Sequence, residues 1–237
     1  MQRCRLIAEL ATNHGGDRAL ALDMVAAAAD AGADIVKTQG YQIANLPRSD
    51  PQYVWFAQSE LSDDDHHALM KACDRRGVKY LSTAYTVSDL RRLVKLGQCA
   101  VKIGSGEGQN DAFVREACRS MDTVYISVPW GVCERPVEPY NGKHIYLSTV
   151  PLYPAPNETY TRAVSRAGYS DHHVGIDVAK IAIARGATVL EKHFQITGRG
   201  RNQAWNMTAQ DVTSLRAWAE TCHIAVSGTR FSERWRP

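Results

Sequence analysis

Eight short apolar segments recur along the chain and mostly alternate with helical patterns, and this alternation constrains the fold more than any other feature. The segments lie at residues 5–10, 34–39, 79–85, 100–107, 123–128 and 144–150, with a seventh ending at Asp171 and an eighth at His193. Strands separated by helices imply a parallel sheet, and eight such repeats imply a closed (β/α)8 TIM barrel. An open doubly wound sheet is the alternative, but no G-x-G-x-x-G follows the first segment. The helix signals agree with the barrel. Asp17 can cap an Ala-rich helix that Gly32 ends, Ser62 and Asp65 form a capping box, and Thr208 with Asp211 opens a last helix. Two places break the rhythm. Residues 129–142 hold three prolines and no helical period, so a reduced or missing helix is expected after strand 5, and residues 40–60 read as an irregular loop.

The 237 residues suit one such domain, residues 1–237, with no linker or compositional break. A net charge of +3, spread along the chain, gives no indication of nucleic acid. No apolar run reaches the roughly 18 residues a membrane span needs. The N-terminus enters a strand almost at once, so no signal peptide is expected. Six cysteines without C-x-x-C spacing read as reduced thiols, which points to the cytoplasm.

In such a barrel the active site is built at the C-terminal ends of the strands. Those ends carry Glu9; Lys37 and Gln39; Ser82 and Thr83; Lys102, Ser105 and Glu107; Ser127; Thr149 and Tyr153; Ser170, Asp171 and His172; Glu191 and His193. Lysine inside an apolar strand is costly unless it meets an anion. Lys37 and Lys102, with nearby hydroxyls and the Gly104-Ser105-Gly106 backbone, suit a phosphate and a carboxylate. The competing reading pairs each lysine with a buried acid such as Glu9 or Glu107. His172 and His193 close two parallel strands joined by a helix, so they should project at one rim, beside Asp171 and Glu191, and can share a divalent metal. Taken singly, each would read better as a cap or a core histidine.

The segments AELATNHGG, DIVKTQ, YLSTAY, VKIGSGE, LYPAP, GYSDHH and LEKHF, in this order over about residues 5 to 215, resemble the barrel domain of N-acetylneuraminate (sialic acid) synthases, a family that includes the legionaminic and pseudaminic acid synthases. The resemblance implies a transferase of carbohydrate biosynthesis. It would condense phosphoenolpyruvate with the open-chain aldehyde of an amino sugar, giving a 2-keto-3-deoxy acid and phosphate. Carried over by motif, His172 and His193 would hold a divalent ion, Mn2+ with Mg2+ or Co2+ as alternatives. Lys37, Thr83, Lys102, Ser105, Ser127 and Ser170 would bind the donor, with Gln39 and Glu107 beside it. Glu9 would face the aldehyde, and Tyr153, two residues past a sugar-contacting position, is a candidate for substrate binding. A homodimer is the family's common assembly.

Four departures bear on the acceptor. Family members usually continue into a C-terminal antifreeze-like domain that lends an arginine to a neighbouring site, whereas this chain ends after the barrel. Ser127-Val-Pro-Trp130 replaces the family's S-T-G-M, Pro151 replaces a polar sugar contact, and Arg199-Gly-Arg201-Asn202 replaces P-G-P-D. Arg199 and Arg201 are therefore candidates for the cation that domain would bring. Trp55, Phe56, Trp130 and Trp205 are candidates to line an acceptor site different from that for N-acetylmannosamine. The competing functions are a divergent metal-dependent aldolase or enolpyruvyl-transfer enzyme on the same barrel, and a non-catalytic binding barrel.

Overall fold

A computed structural model describes residues 3–129, 143–162 and 167–227. Eight strands close a barrel in sequence order, β1 to β8, and every neighbouring pair is parallel. The strands are β1 (Arg5–Glu9), β2 (Ile35–Gln39), β3 (Lys79–Ala84), β4 (Ala100–Ile103), β5 (Thr123–Pro129), β6 (Lys143–Thr149), β7 (Gly168–Asp171) and β8 (Val189–His193). The helices are α1 (Arg18–Asp30), α2 (Tyr53–Ser59), α3 (Asp63–Arg75), α4 (Val87–Lys95), α5 (Asp111–Ser120), α6 (Asp177–Ala184) and α7 (Ala209–Ser227).

The caps act as their residue types require. Asp17 accepts from the Ala19 and Leu20 amides at the start of α1, and Ser62 and Asp65 form a reciprocal capping box at α3. Thr86 and Asp89 repeat that box at α4.

Alternation along each strand sorts side chains between two cores. Outward residues such as Leu6, Ala8, Val36 and Leu190 pack beneath α1, α3, α6 and α7. Val101, Ile103, Val124 and Ile126 pack beneath α4 and α5. Inward, Ile7, Ile35, Leu81, Tyr125, Ile145, Leu147 and Val189 plug the lower barrel, and Arg5 closes the bottom by donating to the Tyr125 hydroxyl at 3.1 Å. One step up every strand the inward positions turn polar, so the apolar plug forms the floor of a polar chamber.

One expectation needs adjustment. The stretch 40–60 is not wholly irregular. It holds a 3-10 turn (Ile43–Asn45) and α2. The N-terminus of α2 carries no capping side chain; the helix is held by tertiary contacts, with buried Tyr41 donating to the Phe56 carbonyl at 2.8 Å and Trp55 donating to Thr12 at 2.9 Å. Asn157–Arg162 forms a 3-10 turn. The residues expected to carry a reduced or missing helix after strand 5, 130–142, lie outside the described residues. No helix among the described residues is long and apolar enough to cross a membrane.

Candidate active site

The C-terminal rim opens into a cavity of about 450 Å³. Its floor is the polar inward layer: Glu9, Lys37, Thr83, Lys102, Ser127, Thr149, Ser170 and Glu191. Gln39, Ser105, Glu107, Tyr153, His172, His193 and Arg201 line its wall and mouth.

Lys37 donates to Thr83 Oγ1 at 2.9 Å and pairs with Glu9 Oε2. Lys102 donates to Ser127 Oγ at 2.7 Å and to the Ile103 carbonyl at 2.8 Å. Between them sits Glu191, whose Oε1 accepts from Ser170 Oγ at 3.0 Å and lies 3.9 Å from Lys37 Nζ and 4.0 Å from Lys102 Nζ. All three ionisable groups are buried. Burial pushes the Lys37 ammonium down to about 7, against the pull of Glu191. It also lowers Lys102, against Glu191 and Glu107. Burial alone would raise the Glu191 carboxyl, but Lys102, Lys37 and Ser170 together hold it below its ordinary value.

Both competing readings of the lysines are therefore present at once. Lys37 does have an acid partner, Glu9, and shares Glu191 with Lys102, while both lysines also line a cavity that an anion can enter. The importance of Glu191 escapes a reading by residue type, because its lysine partners come from β2 and β4. Its signal was positional, since it has the same inward parity as His193.

His172 and His193 do meet at the rim, with ring centroids 5.6 Å apart. His172 Nδ1 lies 2.8 Å from the Val150 carbonyl, so Nδ1 is the donor and Nε2 carries the lone pair. Burial holds the His172 imidazole down to about 4 and holds His193 well below its ordinary value. Both rings are thus neutral, the form that ligates metal. Among the described residues no group of three His, Cys, Asp or Glu side chains converges on one point. The donor set fits a divalent ion held by two imidazoles with its other positions open, not a closed structural site.

Asp171 does not stand beside this pair. It points out of the barrel, where it accepts from Lys192 Nζ at 2.8 Å and from the His173 backbone amide at 3.0 Å, with His173 Nδ1 at 2.8 Å. The period of two that turns Ser170 and His172 inward sends Asp171 outward. Tyr153 covers the imidazoles, its ring 4.1 Å from His172 and 5.8 Å from both His193 and Trp205.

The two loop arginines separate. Arg199 is exposed and bound to Asp23 at 2.7 Å, away from the cavity. Arg201 lines the cavity. Phe56 and Trp205 line it as well, Trp55 lies beneath Arg201, and Trp130 falls outside the described residues.

The family model described as NeuB matches residues 24–135 and 143–233. A Legionella pneumophila relative, N,N'-diacetyllegionaminic acid synthase, is 32% identical over 228 residues, covering 81% of this chain and 64% of its own length. The pseudaminic acid synthase of Campylobacter jejuni strain 81-176 is 27% identical, covering 81% of this chain and 65% of that protein. The chain thus spans about two-thirds of the length of these relatives. Among solved structures, an N-acetylneuraminic acid synthetase from Leptospira borgpetersenii superposes with a TM-score of 0.83 at 24% identity, covering 99% of this chain and 87% of that one.

Proposed function

The chain belongs to the NeuB family, and from that premise we propose that it condenses phosphoenolpyruvate with the open-chain aldehyde of a sugar, forming a 2-keto-3-deoxy acid and inorganic phosphate. The observation that carries this reading is the buried Lys37–Glu191–Lys102 arrangement. Two ammonium groups on the floor of a closed barrel are matched to a small, highly charged donor better than to a neutral ligand. In net terms, C3 of the enolpyruvate bonds to the aldehyde carbon, water adds its oxygen at C2, and phosphate departs.

Lys37 and Lys102 would hold the donor's phosphate and carboxylate, with hydroxyl donors from Thr83, Ser105, Ser127 and Ser170 and the amide of Gln39. Each lysine already rests on a hydroxyl, which fixes where its charge points. Glu9 is fixed by the Ala11 amide at 2.6 Å and by Lys37. Its carboxylate would sit beside the aldehyde, where a proton must move as the carbonyl oxygen becomes a hydroxyl. Glu107 borders the same space, and Tyr153 with Trp205 would shield it from water. A divalent ion, Mn2+ or a similar cation, would be held by His172 and His193. When bound, it would supply Lewis acidity toward the aldehyde oxygen and the attacking water. A cytoplasmic location belongs to the same reading, since Cys4, Cys73, Cys99, Cys118 and Cys222 are free thiols.

The test is calorimetric titration of phosphoenolpyruvate into the protein with Mn2+ and then with excess chelator, followed by phosphate release against a panel of aldoses. Donor binding and aldehyde-dependent phosphate release are expected. If no aldehyde in the panel triggers release although the donor binds, the condensation is wrong and an enolpyruvyl-transfer reaction takes its place.

A further inference from the structure

We infer that Arg201 forms a second anion site at the mouth of the cavity, so that the aldehyde substrate carries an anionic group, a phosphate ester or a carboxylate, remote from its reacting carbon. The inference rests on the condensation proposed above and adds the substrate class.

The argument begins with how the arginine is seated. Gly200 has a φ of +62°, and a Cβ there would collide with the Asn13 carbonyl. The loop can therefore lie flat against the segment that follows β1, and the Arg201 amide donates to that same carbonyl at 2.8 Å. Asn13 is itself tied to the Phe194 carbonyl at 2.8 Å, so the backbone beneath Arg201 is fixed to two strand ends. The guanidinium carbon lies 5.3 Å from the centroid of the Trp55 ring. Nη1 donates to Gln52 Oε1 at 3.1 Å. Gln203, with its amide oxygen turned to the guanidinium, accepts from Nε at 2.6 Å and from Nη2 at 3.2 Å.

These contacts hold three of the five N–H groups of the fork and leave two. Every partner is neutral. Among the described residues no carboxylate pairs with Arg201, whereas Arg199, two residues earlier, is neutralised by Asp23. A guanidinium oriented by amides and an aromatic face, beside a cavity and without a counter-ion, matches the bidentate geometry of a carboxylate or phosphate. Lys37 and Lys102 on the floor are the donor contacts of the proposed condensation, and Arg201 stands apart from them at the mouth, so an anion there belongs to the other substrate.

Three probes test this by calorimetry: glycerol 1-phosphate, D-glycerate and neutral glycerol, each titrated into protein saturated with phosphoenolpyruvate. At least one anion should bind more than tenfold tighter than glycerol, and which one does so separates phosphate from carboxylate. Arg201→Met should erase that advantage, Arg201→Lys should keep part of it, and both variants should hold the donor within about twofold of the unaltered protein. Equal binding of glycerol, or an advantage that survives Arg201→Met, overturns the inference. So does a tenfold loss of donor affinity in Arg201→Met, which would give the arginine to the donor instead. If the unaltered protein binds no phosphoenolpyruvate, the proposed condensation fails, and the same titrations on donor-free protein still decide whether Arg201 is an anion site.

Discussion

Donor binding should be accompanied by proton uptake at Lys37. Burial holds this ammonium down to about 7 in the donor-free protein, so at pH 8 most sites carry a neutral Lys37. A bound trianion favours the charged lysine and should return it towards its ordinary value of about 10.4. At pH 8 the complex would then take up between about half a proton and one proton per site. The phosphate of the donor, with its second pKa near 6, is already deprotonated at that pH and contributes little. Linkage fixes the consequence for affinity. Above about pH 7 each further pH unit should weaken donor binding close to tenfold, until the pKa of the bound state is reached. A rise of about three units at Lys37 corresponds to roughly 4 kcal/mol of coupling between proton and donor. The assay is calorimetry at pH 8 in two buffers of different ionisation enthalpy, where the dependence of the measured heat on buffer gives the protons taken up. Uptake near zero, together with an affinity flat from pH 7.5 to 9, would refute the claim that Lys37 meets the donor. Lys37→Met should abolish the uptake even if residual binding persists through Lys102.

Three further outcomes follow from the same geometry. Glu191→Gln removes the carboxylate shared by two buried lysines, which should cost about 3 kcal/mol of stability, or roughly 6–12 °C in Tm for a chain of this size; an unchanged Tm in a thermal melt would show that the lysines are satisfied without it. The double variant His172→Ala, His193→Ala should lose Mn2+ binding as read by electron paramagnetic resonance of the free ion, while keeping the circular dichroism of the barrel, and retained affinity would move the metal elsewhere. His172 is held down to about 4 when folded, against about 6.5 unfolded. The unfolded chain therefore binds more protons between those values, and stability contributed by neutral His172 is complete above pH 6.5 and lost as pH falls toward 4. Denaturant melts of His172→Asn should show a shallower acid loss across that window, and an identical slope would remove His172 from the account.

The barrel was legible because its signals are local. Strand periodicity, capping residues and terminating glycines each act within a few residues, and they agree with one another along the chain. The polar floor was legible for a related reason: Lys37 and Gln39, Ser170 and His172, and Glu191 and His193 recur at a spacing of two, so one face of each strand announces itself. The same rule, applied strictly, would also have placed Asp171 outside, where Lys192 and His173 hold it. What resisted reading depends on partners distant in sequence. The helix α2 has no side-chain cap at its N-terminus and is held because Tyr41 and Thr12 bond its aromatic residues. Glu191 reads as one more buried acid until β2 and β4 bring a lysine to each side of it. Arg199 and Arg201 are the sharpest case, since they share a residue type, a loop and nearly a position. Asp23 on α1 draws one into solvent, while Asn13, Gln52 and Trp55 fix the other beside the cavity. Composition cannot separate them because the difference lies in what the barrel closure brings to each, and the acceptor assignment therefore turns on Arg201 alone.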